Sequence, residues 1–181
     1  MHEISDDPPV KSLDRIPYVD EEGIVRAVIE SPQGSRHKLK YEPTERAFRV
    51  STTFPAGMSM PFDFGFFPRT KAADGDPLDV LVLMDGPAPA GTIVNVRLLG
   101  VIEAEQSEDG QKPFRNDRLI ALAEGSTERG ELRSLADLDK GLVGQIEAFF
   151  ETYNRLKGRT FKPLRQRGPR VARKLLDGAA I

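Results

Sequence analysis

Asp74-Gly75-Asp76-Pro77-Leu78-Asp79 runs directly into Val80-Leu81-Val82-Leu83-Met84. Three carboxylates within six residues repel one another and push each other's pKa upward unless positive charge lies among them. Carboxylate oxygens are hard ligands, so the natural partner is Mg²⁺, Mn²⁺ or Ca²⁺ rather than a thiolate-loving metal. Gly75 permits a sharp turn, and Pro77 fixes one backbone dihedral within it. The apolar run that follows is short, β-branched and bounded by Gly86-Pro87, which predicts a buried strand. A rigid acidic turn therefore feeds a core strand. A merely solvated turn is the other reading, since Asp, Gly and Pro are ordinary turn residues. Three aspartates anchored on a hydrophobic strand speak against it. An EF-hand fails on detail. Counted from Asp74, its sixth position is Asp79 instead of Gly, its twelfth is Asp85 instead of Glu, and a strand lies where the helix should begin.

Around this stretch lie 181 residues, 39% hydrophobic, enough for one soluble domain spanning 1–181 with a real core. A formal net charge of −2 argues for no nucleic-acid or membrane partner. The absence of cysteine excludes disulfides and thiolate metal sites. Met1-His2-Glu3-Ile4-Ser5-Asp6-Asp7 is acidic where a signal peptide would be basic, and no apolar run approaches the ~18 residues of a membrane span. A cytoplasmic protein is the expectation.

Residues 1–20 carry Pro8, Pro9 and Pro17 among charges and read as an irregular lead-in. From 24 to 122 the chain is β-like. Ile24 to Glu30 is rich in strand formers, Ser31 to Ser35 supplies turn chemistry, and His37 to Glu42 alternates, predicting a hairpin with one wet face. Phe48-Arg49-Val50 is a further short strand. Pro55 to Pro68 reads as a packed irregular loop, Thr92 to Ile102 as one long or two bent strands around Gly100, and Arg118 to Leu122 as another strand. Apolar residues then recur at three- and four-residue steps from Leu138 to Leu156, predicting a main helix over 136–157. Pro169 opens a second helix over 169–177. Many short strands followed by two helices predict an α+β domain: a small closed β-barrel with the two helices packed outside.

The acidic turn resembles, almost residue for residue, the signature of the soluble family I inorganic pyrophosphatases. Val28-Ile29-Glu30-Ser31-Pro32 and Lys38-Leu39-Lys40-Tyr41-Glu42 are similar to the family's first two strands. Met60 to Phe66 stands where the family has a Tyr-Pro-x-Asn-Tyr-Gly-Tyr type segment, and Gln145 to Tyr153 resembles its main helix. The resemblance covers roughly residues 24 to 160. It implies a five-stranded OB-like barrel, Mg²⁺ (with Mn²⁺ the other candidate), hydrolysis of pyrophosphate to two phosphates, and a homo-oligomer. It also implies roles. Asp74 and Asp79 would hold metal, Asp79 bridging two ions, with Asp76 and Asn116 completing the set. Asp76 would take the proton of the attacking water. Lys40, Arg118 and Tyr153 would contact phosphate, and Glu30 and Glu42 would orient metal-bound waters from outside.

The chain departs from the family pattern in the shell around the acidic turn. Gln106 and Asn116 stand where the family has aspartates, Thr52 where it has an arginine, and Phe64 where it has a phosphate-touching tyrosine. Asn154 and Arg118 replace lysines. Asp109 and Asp117 are the nearby carboxylates that could stand in. These changes set an active diphosphatase against a low-activity or non-catalytic domain that binds metal and a phosphate compound. A third reading, nucleic-acid binding through Arg165, Arg167, Arg170, Arg173 and Lys174, is opposed by the acidic pocket, and a solvated helix face explains that cluster as well.

Overall fold

In the computed structural model the described residues are 12–181. Most of the expected lead-in, residues 1–11, lies outside them. Its remainder forms a short 3-10 turn, Leu13–Arg15, and a bridge from Val19 to Val25. Nine strands and two helices follow in the order β1 (Val25–Ser31), β2 (His37–Glu42), β3 (Ala47–Thr53), β4 (Asp63–Phe66), β5 (Asp79–Leu83), β6 (Ile93–Glu108), β7 (Phe114–Arg115), β8 (Arg118–Ala123), α1 (Lys140–Leu156), β9 (Arg159–Arg167) and α2 (Pro169–Gly178).

The main sheet is mixed. β1 pairs with β4, β4 with β5, β5 in parallel with β8, β8 with β6, and β6 returns to β1, so the pairings close a ring of five strands. β7 and β9 extend from the far half of β6, and β2 with β3 make a separate hairpin. This is an α+β architecture.

Successive side chains of a strand face opposite ways, and here both faces are covered. Leu81 and Leu83 of β5, with Ile120 and Leu122 of β8, join α1 residues Val143, Ile146 and Phe150 in one cluster. Val80 and Val82, with Leu119 and Ala121, join Ala172 and Leu176 of α2 in another. That two-sided burial is why Val80 to Leu83 reads as an unbroken apolar run. Each of the larger side chains among these, once removed from water, contributes on the order of 1.5–3 kcal/mol.

Three expectations need correction. The aromatic segment Pro55 to Pro68 is not all loop, because Asp63–Phe66 is the central strand β4. Gly65 allows this close pairing, since a Cβ there would overlap the Val28 carbonyl of β1. The main helix starts at Lys140 instead of 136, because Asp139 caps it by accepting from the Leu142 N–H, while Leu135–Asp137 forms a separate 3-10 turn. The strand from 92 does not end at 102; β6 runs on to Glu108, and β9, with no apolar alternation to announce it, pairs along it.

Candidate active site

The acidic turn is built by its own backbone. The Ala72 N–H donates to the Asp76 carbonyl at 2.7 Å and the Gly75 N–H to the Ala72 carbonyl at 3.0 Å. Gly75 sits at φ +90°, where a side chain would be strained. Asp74 Oδ1 accepts the Asp76 N–H at 3.1 Å, and Thr70 Oγ1 accepts the Leu78 N–H at 2.9 Å. Asp79 is the first residue of β5, opposite Phe66. The core strand therefore holds the last carboxylate of the turn, while the hydrogen-bonded loop presents the other two.

The turn borders a cavity of about 710 Å³. All the residues to which the resemblance gives a role line it: Glu30, Lys40, Glu42, Asp74, Asp76, Asp79, Asn116, Arg118 and Tyr153. They come from five different parts of the chain, which the ring of strands and α1 bring together.

Charge on the acidic wall is balanced from within. Lys40 Nζ donates to both oxygens of Asp76, at 3.0 and 2.9 Å, and that bond raises the lysine pKa. Arg118 Nη1 lies 2.9 Å from Asp79 Oδ2. Arg118 is buried, its guanidinium 4.9 Å from the Phe150 ring centroid and 5.3 Å from that of Phe161. Burial raises the Asp74 pKa, and the negative charges of Asp79 and Asp76 add to the rise. Glu30 is buried on β1 and accepts the Tyr41 N–H at 2.7 Å. Burial pushes its carboxyl up to about 7.

Three of the departures from the family pattern, Gln106, Asn116 and Arg118, sit together in the cavity lining. Asn116 Nδ2 donates to Gln106 Oε1 at 2.7 Å, and Arg118 Nη1 donates to Asn116 Oδ1. Gln106, Asn116, Arg118 and Asp79 thus form one chain of polar contacts. Asp117 does not stand in for a lost carboxylate. It accepts the Ala104 N–H at 2.9 Å and pairs with Arg115 at 2.8 Å, outside the cavity. Asp109 does not line the cavity either.

The expected ligand set of Asp74, Asp76, Asp79 and Asn116 is brought to one turn and one wall. Among the described residues, however, no three acidic or histidine side chains converge on a common point. Lys40 and Arg118 hold two of the carboxylates instead. The donor chemistry still fits a hard cation: the oxygens are carboxylate and amide, and among the described residues Asp74 has no basic side chain within ion-pair range.

On the opposite side stands Tyr153 of α1, its ring fixed edge-on to Phe54 at 5.7 Å and stacked with Phe149 at 6.4 Å. Lys157 Nζ donates to its hydroxyl at 3.2 Å. Lys38 Nζ lies 4.8 Å from the Phe64 ring centroid and 5.6 Å from that of Tyr153. Burial would raise the Tyr153 hydroxyl pKa, but Lys38 and Lys157 outweigh it and hold it below the usual tyrosine value. Neither lysine was singled out from sequence, although the signals existed. Lys38, Lys40 and Glu42 occupy alternate positions of β2, and Lys157 is one helical turn beyond Tyr153.

Comparison with known proteins agrees in sequence and in shape. The family model described as inorganic pyrophosphatase matches residues 27–180. The chain is 32% identical over 154 residues to the inorganic pyrophosphatase of Thermus thermophilus, covering 85% of both chains. It is 31% identical over 157 residues to that of Geobacillus stearothermophilus, covering 87% of this chain and 92% of the relative. The crystal structure of the Thermus thermophilus inorganic pyrophosphatase superposes with a TM-score of 0.84, covering 93% of this chain and 97% of that one.

Proposed function

The chain belongs to the inorganic pyrophosphatase family, and from that premise we propose that its cavity hydrolyses pyrophosphate to two phosphates with Mg²⁺, Mn²⁺ being the other candidate ion. The observation that carries this reading is one cavity with a three-aspartate turn on one wall and lysines around a fixed tyrosine on the other.

Asp74, Asp79 and Asp76 would hold the cation, with the Asn116 amide oxygen as a neutral donor. When bound, the cation neutralises phosphoryl oxygens and makes water acidic enough to attack near neutral pH. Asp76 accepts the proton of the attacking water. As that proton arrives its charge is lost, and Lys40, already within 2.9 Å, turns to a phosphoryl oxygen. The bridging P–O bond breaks as the new one forms, and the leaving phosphate takes a hydrogen bond from the Tyr153 hydroxyl. Arg118 contributes fixed positive charge at the inner end, and Glu30 and Glu42 orient water from behind.

In the same reading the closed ring of strands is the OB-like barrel of the family, and residues 1–181 act as one unit. We also place the protein in the cytoplasm as a homo-oligomer. Among the described residues no helix is long and apolar enough to cross a membrane.

Phosphate release from pyrophosphate, with Mg²⁺ and with Mn²⁺, tests the reading when the native protein is compared with Asp79→Ala. Turnover that disappears in the variant supports it. Absent turnover in the native protein, with cation binding retained, overturns it and leaves a phosphate-binding domain, as the neutral pair Gln106 and Asn116 would favour.

A further inference from the structure

The cations of the cavity fall into two kinds. Lys40, Arg118 and Arg159 each have a carboxylate partner, Asp76, Asp79 and Glu108 respectively. Among the described residues, Lys38, Arg69, Lys71 and Lys157 line the cavity with no carboxylate within ion-pair range, and of these Lys38 and Lys157 stand against the Tyr153 ring. The Glu30 carboxyl feels the charge of Lys38 but is buried behind it and bonded to the Tyr41 N–H.

These two lysines do not wander as solvated surface chains do, because both are tied to one ring. Lys157 Nζ is 3.2 Å from the Tyr153 hydroxyl and 5.3 Å from the ring centroid. Lys38 Nζ lies near the faces of Phe64 and Tyr153, on a strand position that pairs with Thr52 across the β2–β3 hairpin. Tyr153 is itself buried and packed by Phe54 and Phe149, so it acts as a rigid post between two ammonium groups. A stationary hydroxyl flanked by two uncompensated ammonium groups is complementary to a compact oxyanion with several acceptor oxygens.

We propose that Lys38, Lys157 and the Tyr153 hydroxyl form an anion subsite for a phosphate group, and that within the pyrophosphatase reading, on which this rests, it holds the leaving phosphate. Lys38 serves from the hairpin where Thr52 offers only a neutral hydroxyl. Lys157 serves from one helical turn beyond Asn154, whose buried side chain instead donates to the Phe150 carbonyl at 2.8 Å. The subsite is therefore assembled from positions that local sequence motifs do not mark.

The test is binding of inorganic phosphate to the metal-free protein by calorimetry, for the native chain, Lys38→Gln, Lys157→Gln, the double variant and Lys38→Arg. Each Gln variant is expected to lose about tenfold or more in phosphate affinity, the loss of one hydrogen bond from a charged group. The double variant should lose more, and Lys38→Arg should retain binding. Tyrosinate absorbance against pH, with Tyr153→Phe to identify the signal, should show the Tyr153 titration moving upward in the Gln variants. Phosphate affinity within twofold of native in both single variants would overturn the subsite, even with the Tyr153 titration displaced, because the lysines would then only tune the tyrosine. The two readings fail separately. A native protein that binds phosphate through these lysines but releases none from pyrophosphate keeps the subsite and loses the hydrolase.

Discussion

The two walls of the cavity handle charge in opposite ways. On the acidic wall, Asp76 and Asp79 are each satisfied by a basic side chain from another strand, Lys40 and Arg118. On the tyrosine wall, Lys38 and Lys157 rest on aromatic rings, with no carboxylate within ion-pair range of either among the described residues. One wall has two of its three aspartates paired internally and must exchange those partners to give all three to a cation. The other is ready for an anion without rearrangement. Loading of this site is thus asymmetric, and each prediction below attacks one side of that asymmetry.

The largest effect is expected at Asp76. Asp76→Asn keeps the shape of the turn but removes the group assigned to take a proton, so phosphate release should fall by about 10²–10⁴. Circular dichroism should meanwhile stay native. A loss below tenfold would move the proton acceptor elsewhere.

Next is Glu30, whose carboxyl stands at about 7, raised first by burial and further by Asp79. The folded protein then holds a proton that the unfolded chain has released, so stability is full below the ordinary glutamate range. It should drop by about 3 kcal/mol as pH rises through 7 in the metal-free protein. Glu30→Gln should abolish that slope. Urea midpoints between acid and mildly alkaline pH measure both, and a native protein with no such slope contradicts the assignment.

A smaller effect is expected on the amide wall. Asn116→Asp with Gln106→Asp restores carboxylates beside Arg118 and should tighten Mn²⁺ binding by roughly tenfold, as ligand charge count governs affinity for hard ions. Unchanged Mn²⁺ binding would mean that this wall does not face the cation. The smallest effect belongs to Lys40→Gln, which frees Asp76. Mn²⁺ affinity should rise by about threefold while turnover drops, and a fall in both would remove Lys40 as the internal competitor.

The legibility of the site follows the same division. The acidic turn was readable because its chemistry is local: Asp, Gly and Pro fix both its shape and its ligands within six residues. Glu30, Lys40, Glu42 and Tyr153 became readable only through family resemblance, since alone each passes for a strand face or a core ring. Lys38 and Lys157 went unread because their role depends on Phe64 and Tyr153 standing between them, which only the folded chain decides. The fold divides similarly. Runs such as Val80 to Leu83 announce buried strands. β4 hides in an aromatic segment because Gly65 replaces the usual β-branched residue where two backbones meet. β9 hides because its sequence, Arg159 to Arg167, is charged and mostly exposed, and its pairing with β6 holds it in place. The Gln106–Asn116 contact confirms that these two residues are neighbours, and shows why Asp117 is no substitute: Arg115 and the Ala104 N–H already hold it.

β6 has four partners, β1, β7, β8 and β9, drawn from residues as distant as Val25 and Arg167. The ring closes only when the first half of that strand, Ile93 to Ile102, has met both β8 and β1, the latter about 70 residues earlier in the chain, where Val25 pairs with Val96. Such closure pays loop entropy before it gains contacts, so refolding should be slow for a chain of this size, in the range of milliseconds to seconds or longer. A nick beside Gly100 would leave the β1 pairing with one fragment and the β7 and β9 pairings with the other, would cut through the β8 pairing, and neither fragment would hold all of the cavity lining.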